Sequence, residues 1–165
     1  MWRGMVGVVL MIIVTTGGRI VSAQTEAPAV RPEGAAIRAL IDRGMKRSAT
    51  FRDLHTGLDN ASVIVYVRFA PCSPGVPACL LWASTGGDAR RLVIKIDRFG
   101  RSPDELTALL AHELQHATEV AASSDITDLA SFQTSFALRG WKHAAGFETE
   151  EAGKISKRVA AELSR

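Results

Sequence analysis

The residues of this chain best suited to chemistry are His112, Glu113 and His116, which stand in the order His-Glu-x-x-His. Residues four apart on a helix lie one above the other on one face, so two imidazoles there can bind a single zinc ion. Glu113 lies at the edge of that face, where its carboxylate can reach a water on the metal and accept its proton. At the His and Glu frequencies of this chain, chance alone gives the pattern in about one chain in two hundred.

The motif requires a helix, and the flanking sequence predicts one from Ser102 to about Ala122. Ser102 can cap this helix, Pro103 suits its first position and Glu105 completes a capping box. Apolar residues surround most of its circumference, which predicts a mostly buried central helix. A buried pair of histidines and a glutamate would be costly without partners, and a metal supplies them. The alternative is a pair of surface histidines on an amphipathic helix.

With this motif on a capped helix, the sequence resembles the zincin metallopeptidases, most closely from about Leu92 to Glu119. The resemblance implies an antiparallel sheet packed on the motif helix, with an edge strand lining a substrate cleft. It implies that His112 and His116 are zinc ligands and that Glu113 is the general base.

The resemblance also implies a third ligand from a later element. His116 is followed by Ala-Thr-Glu-Val-Ala-Ala, without the Gly and His that continue the motif in metzincins. The chain is more similar to gluzincins, in which a Glu on a downstream helix completes the site. Glu148 is the predicted ligand, because it lies on the inward stripe of a helix expected from about Glu148 to Leu163. Glu151 stays open as an alternative, whereas Glu150 points away from the stripe.

Two further polar residues are candidates for the site. Glu119 lies seven residues after His112 on the same helix face, as a hydrogen-bond partner for an imidazole or as a surface charge. His143 lies in a loop expected at Gly140 to Gly146. It is an alternative third ligand, a donor to the oxyanion of a tetrahedral intermediate, or a solvated loop histidine.

The remaining patterns predict a single α+β domain over residues 36–165, with a small antiparallel sheet packed on the central helix. Helices are expected over residues 36–47, from a Thr50 cap through Leu58, and around Phe132 and Phe136. β-branched and aromatic runs predict three strands, and their short connections favour antiparallel neighbours. These strands are Val63–Phe69, Leu80–Ser84 and Leu92–Asp97.

The N-terminus is typical of an export signal. Arg3 precedes an apolar run from Met5 to Val14, and Val21-Ser22-Ala23 supplies the small residues of a cleavage site. Residues 1–23 are therefore predicted to be a signal peptide, and residues 24–35 a flexible lead-in. Ten apolar residues span only about half of a bilayer core, so no stable membrane span is expected after cleavage. An uncleaved anchor is the alternative, and both place the domain in the periplasm or outside the cell.

Export determines the interpretation of the two cysteines. Cys72 and Cys79 enclose a Pro- and Gly-rich turn, so a disulfide is expected in an oxidising compartment. A pair of metal-binding thiolates is the rival interpretation, but no other cysteine is available to complete such a site.

The charge balance argues against a nucleic-acid partner. Without Arg3 and Arg19 the chain has 18 basic and 17 acidic residues and no basic run. The sequence therefore predicts an exported zinc-dependent metallopeptidase, with a peptide or protein substrate that adds as a strand along Leu92 to Asp97. The alternatives are a non-catalytic binding module with a structural zinc, an envelope protein without metal, and a hydrolase of non-peptide amides.

Overall fold

A computed structural model of the chain describes residues 27–86, 89–139, 141–143 and 146–165. The predicted signal peptide, residues 1–23, lies outside this described part. The helices are α1 (Ala35–Arg47), α2 (Ala49–Asp59), α3 (Pro103–Ala121), α4 (Leu129–Arg139) and α5 (Glu150–Leu163). The strands are β1 (Val30–Pro32), β2 (Val63–Phe69), β3 (Ala78–Gly86), β4 (Ala89–Ile96), β5 (Trp141–His143) and β6 (Gly146–Glu148).

The domain is α+β as expected, but its main sheet is mixed rather than antiparallel. The strand order is β1-β2-β4-β3, in which β1, β2 and β4 are parallel and β3 is antiparallel to β4. Phe69 and Ala78 both pair with Ile96, so residues 70–77 carry the chain past the end of β4. The strand β4 therefore lies between β2 and β3.

This order corrects the expected peptide-binding edge. Leu92–Asp97 falls within and just after β4, an interior strand whose two sides pair with β2 and β3. No backbone group of an interior strand is left to pair with an added peptide. The edge strand on this side of the sheet is β3.

Part of the expected lead-in is also ordered into the sheet. Residues 30–32 form β1, and Val30 pairs with Val65. Ala29 and Val30 are buried, and the Ala29 N–H donates to Asp59 Oδ1 at 3.0 Å. Apolar burial and a buried backbone partner thus fix a segment whose composition predicted flexibility.

The core lies between one face of the sheet and α1, α2, α3 and α5. Alternate residues of β2 and β4 point into it, and α3 contributes side chains from most of its circumference, as its sequence predicted. Among the largest fully buried side chains are Phe51, Leu92, Ile94, Leu110 and Leu114.

Both ends of α3 are fixed by hydrogen bonds. The predicted capping box is present: Ser102 Oγ accepts from the Glu105 N–H, and Glu105 Oε2 accepts from the Ser102 N–H at 2.8 Å. At the other end, Arg90 of β4 donates to four backbone carbonyls at and beyond the last turn. These carbonyls belong to Val120, Ala121, Ser123 and Ile126. The helix is therefore held at its N-terminus by its own sequence and at its C-terminus by the sheet.

The short helix α2 begins differently from the prediction. Ser48 caps it by accepting from the Phe51 N–H at 2.9 Å, so Thr50 lies inside the helix. The Thr50 hydroxyl donates instead to Glu162 Oε1 at 2.8 Å. A distant carboxylate in α5 thus supplied a partner that the local sequence did not reveal.

The expected disulfide is present: the sulfurs of Cys72 and Cys79 are 2.01 Å apart. It closes the connection that carries the chain past β4, with Gly75 at φ 81° in the turn. This φ lies in the left-handed region that glycine adopts without a steric penalty.

The C-terminal third differs from the prediction in two elements. The segment expected as a loop at Gly140 to Gly146 contributes strands β5 and β6, which pair antiparallel. The last helix begins at Glu150, with Thr149 as its N-cap. Glu148 therefore ends β6 and is not on the helix stripe. Within the described part of the chain, no helix has the length and apolar character to cross a membrane.

Candidate metal centre

The two histidines of the motif lie on one face of α3, as their spacing predicted. Their ring centroids are 4.9 Å apart with the rings nearly perpendicular. His116 is only 4% exposed, whereas His112 is more accessible. The face that they share borders a pocket beside β3 and α4.

Glu148 reaches the same point from β6. Its Oε1 lies 3.1 Å from Nε2 of His112. One potential ligand atom each from His112, His116 and Glu148 lies within 4.8 Å of the others. Two ligands of a tetrahedral zinc ion are separated by about 3.4 Å, so only small side-chain movements separate this cluster from a coordinating geometry.

Glu151, the alternative ligand on the last helix, is not brought into this cluster. Glu151 is exposed, and its Oε2 lies 4.0 Å from the Lys154 ammonium on the same helix. The His143 backbone belongs to β5, and its side chain lies outside the described part. The structure thus assembles the residue predicted as ligand, although it does so from a strand end rather than from a helix face.

The charges of the site favour a cation. Burial lowers the pKa of His112, but the hydrogen bond to Glu148 and the carboxylates of Glu113 and Glu119 outweigh burial and raise this pKa. Two imidazole nitrogens and one carboxylate oxygen form a donor set typical of catalytic zinc sites. The residues present therefore fit a zinc ion.

Glu113 is the most deeply buried carboxylate at the site. It is 5% exposed, and burial raises its pKa to about 7, although the two histidines oppose this rise. The Leu80 backbone, on edge strand β3, hydrogen bonds to it. The side chain is therefore anchored between the motif helix and the strand beside the pocket.

Glu119 connects His116, one candidate ligand, to Thr149, the residue that follows Glu148. Its Oε2 lies 3.1 Å from Nδ1 of His116, and its Oε1 accepts from the Thr149 hydroxyl at 2.8 Å. Burial would raise the pKa of Glu119, but these hydrogen bonds outweigh it and lower the pKa. An ionised carboxylate only accepts, so in a metal-bound chain Nδ1 of His116 would donate to Glu119 and Nε2 would be the ligand atom.

Thr149 completes this connection. Its oxygen also accepts from the Ala152 N–H at 3.3 Å as the N-cap of α5. Because Thr149 directly follows Glu148, the same carboxylate that orients His116 also holds the backbone next to the third candidate ligand. The sequence predicted Glu119 as a partner of an imidazole, but it gave no sign of Thr149.

The pocket at the cluster has a volume of about 480 Å³. The disulfide-closed connection and β3 form one wall, and α4 contributes Phe132 and Phe136 to another. The Phe136 ring packs edge-on against His116, with centroids 5.4 Å apart, and Phe132 packs between Phe136 and Trp82. These aromatic residues were predicted only as helix-forming, because nothing in their spacing identifies the imidazole that they contact.

The described residues thus contain a group, His112, His116 and Glu148, that can hold a metal ion beside a buried carboxyl group in an open pocket. The comparisons with protein families, with curated proteins and with solved structures found nothing that matches this chain.

Proposed function

We propose that this chain is an exported zinc-dependent metallopeptidase. The observation that carries the proposal is the combination of three convergent ligand atoms with the buried carboxyl group of Glu113. A purely structural zinc site has four protein ligands and no open position. Here three candidate ligands face a pocket, which leaves room for water and substrate.

The roles of the residues follow from their positions. His112, His116 and Glu148 would hold the ion, which when bound lowers the pKa of water and polarises a carbonyl group. Glu113 accepts a proton from the attacking water and returns it to the leaving amine. In the metal-free chain burial raises its pKa to about 7, and a bound cation would lower this pKa and favour the carboxylate that accepts the proton. The edge strand β3 offers backbone groups along which an extended peptide can align.

The resemblance to zincin metallopeptidases supports this proposal, and the predicted signal peptide and the disulfide support export. On this proposal, β3 next to the pocket would correspond to the cleft-lining edge strand that the resemblance implies. The resemblance covers the motif helix best, so the proposal depends mainly on the site itself.

A decisive experiment compares the zinc-loaded chain with its Glu113→Gln variant on a mixed peptide pool analysed by mass spectrometry. The substitution keeps the size of the side chain but removes its ability to accept a proton. We expect cleavage to fall by at least about a hundredfold while zinc content stays near one per chain. Glu105→Gln, at the far end of the same helix, is the matched control and should retain activity.

The rival function is a binding module in which zinc only pins α3 to β6. Cleavage that is absent in the zinc-loaded wild type would favour this rival. Cleavage that persists in Glu113→Gln would contradict the proposed mechanism.

A further inference from the structure

The four strands of the main sheet contain no Asp or Glu but hold five cationic side chains. Arg90 points inward to the end of α3, as described above. The other four alternate with core residues and point to the opposite face of the sheet. We define the basic face as Arg31, Arg68, Arg91 and Lys95.

Strand register aligns this face across the sheet. Arg31, Tyr66, Val93 and Leu81 form one cross-strand row, and Arg68 and Lys95 are neighbours in another. Tyr66 and Val93 are not part of the buried core, and Leu81 is 39% exposed. The basic face therefore surrounds a partly exposed apolar strip, and no helix of the described part packs over it.

Most of the cations on this face lack a carboxylate partner. Arg68 lies 3.7 Å from Glu33, which is the one ion pair of the basic face within the described residues. The Arg31 guanidinium lies over the Tyr66 ring at 5.8 Å. The main sheet therefore has a positive charge of its own in a chain that is nearly neutral without Arg3 and Arg19.

An exposed aromatic residue stands at the end of the same sheet. Phe99 is 87% exposed and lies three residues after β4, between Arg98 and Arg101. Arg101 lies 3.8 Å from Asp97, so Arg98 is the unpaired cation beside this ring among the described residues. Cations beside an exposed phenylalanine suit a surface with anionic groups above an apolar interior, more than they suit a purely acidic protein.

We propose that the basic face docks on an anionic phospholipid bilayer, with Phe99 entering the headgroup region. Each cation near an anionic bilayer strengthens binding by about fivefold, so three cations without ion pairs give about a hundredfold. The proposal does not require a bound metal, although Lys95 and Leu81 also line the pocket at the candidate metal centre. In this orientation the helices face away from the lipid and the edge strand β3 lies at the side.

The test is sedimentation of the full chain with vesicles of phosphatidylcholine, with and without about 30% phosphatidylglycerol. We expect about hundredfold tighter binding to the anionic vesicles, lost when salt is raised from about 0.1 M to about 0.5 M. Arg3 and Arg19 flank the apolar N-terminal run, so this segment also favours anionic vesicles. It is identical in every variant, and the comparison between variants therefore isolates the basic face.

Two matched triple variants test whether the basic face causes the preference for anionic vesicles. Arg31→Gln, Arg91→Gln and Lys95→Gln together, which remove the three cations without ion pairs, should lower the preference for anionic vesicles by about a hundredfold. The control variant combines Arg38→Gln, Lys46→Gln and Lys157→Gln, which remove the same charge from exposed helix positions. It should retain the preference for anionic vesicles within about threefold. A third variant, Phe99→Ser, should weaken binding by about tenfold, and melting temperatures verify that every variant is folded.

Three results would overturn the proposal. These are no preference for anionic vesicles, an equal loss in both triple variants, or a preference that does not respond to salt. Binding of polyglutamate without binding to vesicles would reassign the face to acidic proteins.

Discussion

The two regions that supply the candidate ligands are built very differently. Helix α3 is buried around most of its circumference and is fixed at both ends by the capping box and by Arg90. The segment from α4 to β6 has exposed leucines, with Leu138 81% exposed, and two strands of three residues each. Among the described residues, Phe132 and Phe136 make the main side-chain contacts between this segment and the rest of the site.

This difference indicates that the three candidate ligands are not held in place equally firmly. His112 and His116 are positioned by the fold itself, because moving them would disrupt the core. Glu148 is positioned by a smaller unit that the hydrogen bond to His112 and the Glu119–Thr149 connection help to hold. Loss of a candidate ligand on α3 should therefore weaken metal binding most, loss of Glu148 less, and loss of a group that only orients a ligand least.

The largest effect is expected for His116→Ala. Loss of one imidazole from the fixed pair should weaken zinc binding by about a thousandfold. Competition with a chromogenic chelator measures the affinity. The control is His55→Ala on α2, outside the cluster, which should bind zinc like the wild type. Equal affinity in both variants would contradict the assignment of His116.

Glu148→Gln tests the less firmly held ligand. The amide oxygen is a weaker zinc ligand than a carboxylate, so we expect a loss of about a hundredfold in zinc affinity. The matched control is Glu151→Gln, three residues away and exposed, which should leave the affinity unchanged. The opposite ranking of the two variants would move the third ligand to Glu151.

Glu119→Gln tests the connection between the two regions. The neutral amide orients His116 less strongly, so zinc affinity should fall by about tenfold. Thr149→Val should have a smaller effect in the same direction, because it removes one donor to Glu119. Glu150→Gln is the control, since its side chain is exposed and pairs with Lys154. An unchanged affinity in Glu119→Gln would show that the carboxylate does not orient the imidazole.

Phe136→Leu probes the attachment of α4 in the metal-free chain. The substitution loses aromatic contacts with His116 and Phe132, for an expected destabilisation of about 1 kcal/mol in urea unfolding. Leu138→Ala, on the exposed side of the same helix, should change stability by less than about 0.5 kcal/mol. Equal effects would mean that the aromatic contacts do not attach the helix.

The smallest effect is expected at the N-terminal end of α3, where Asp104 binds Arg43 of α1. This hydrogen bond lowers the pKa of Asp104. Because the folded pKa lies below the unfolded one, the stabilisation is complete above about pH 4 and is lost as pH falls through the lowered pKa. Asp104→Asn should melt about one degree lower at pH 7 and equally with wild type near pH 2. A difference that persists at low pH would exclude this linkage.

Local patterns accounted for most of what could be predicted. The α3 capping box, the buried motif helix and the Cys72–Cys79 disulfide each depend on residues near one another in sequence. The insertion of β4 between β2 and β3 does not, because hydrophobic alternation is the same for parallel and antiparallel strands.

The candidate site was predictable to a similar extent. The spacing of His112 and His116 fixed their common face, and Glu148 was identified although its expected helix begins two residues later. The contributions of Phe136, Thr149 and Arg90 depend on contacts between distant segments. A single sequence does not display such contacts.

The separation between His116 and Glu148 has a consequence for chain entropy. A metal held by both would act as a cross-link that closes a loop of about 32 residues, comprising α4 and the β5–β6 hairpin. Closing a long loop removes conformations mainly from the unfolded segment, so the bound metal would stabilise this region more than it stabilises the already fixed α3. Proteases should accordingly cut the metal-free chain first between Ala122 and Glu148. If the chain is exported as proposed, metal supply outside the cytoplasm would then determine how long each molecule survives.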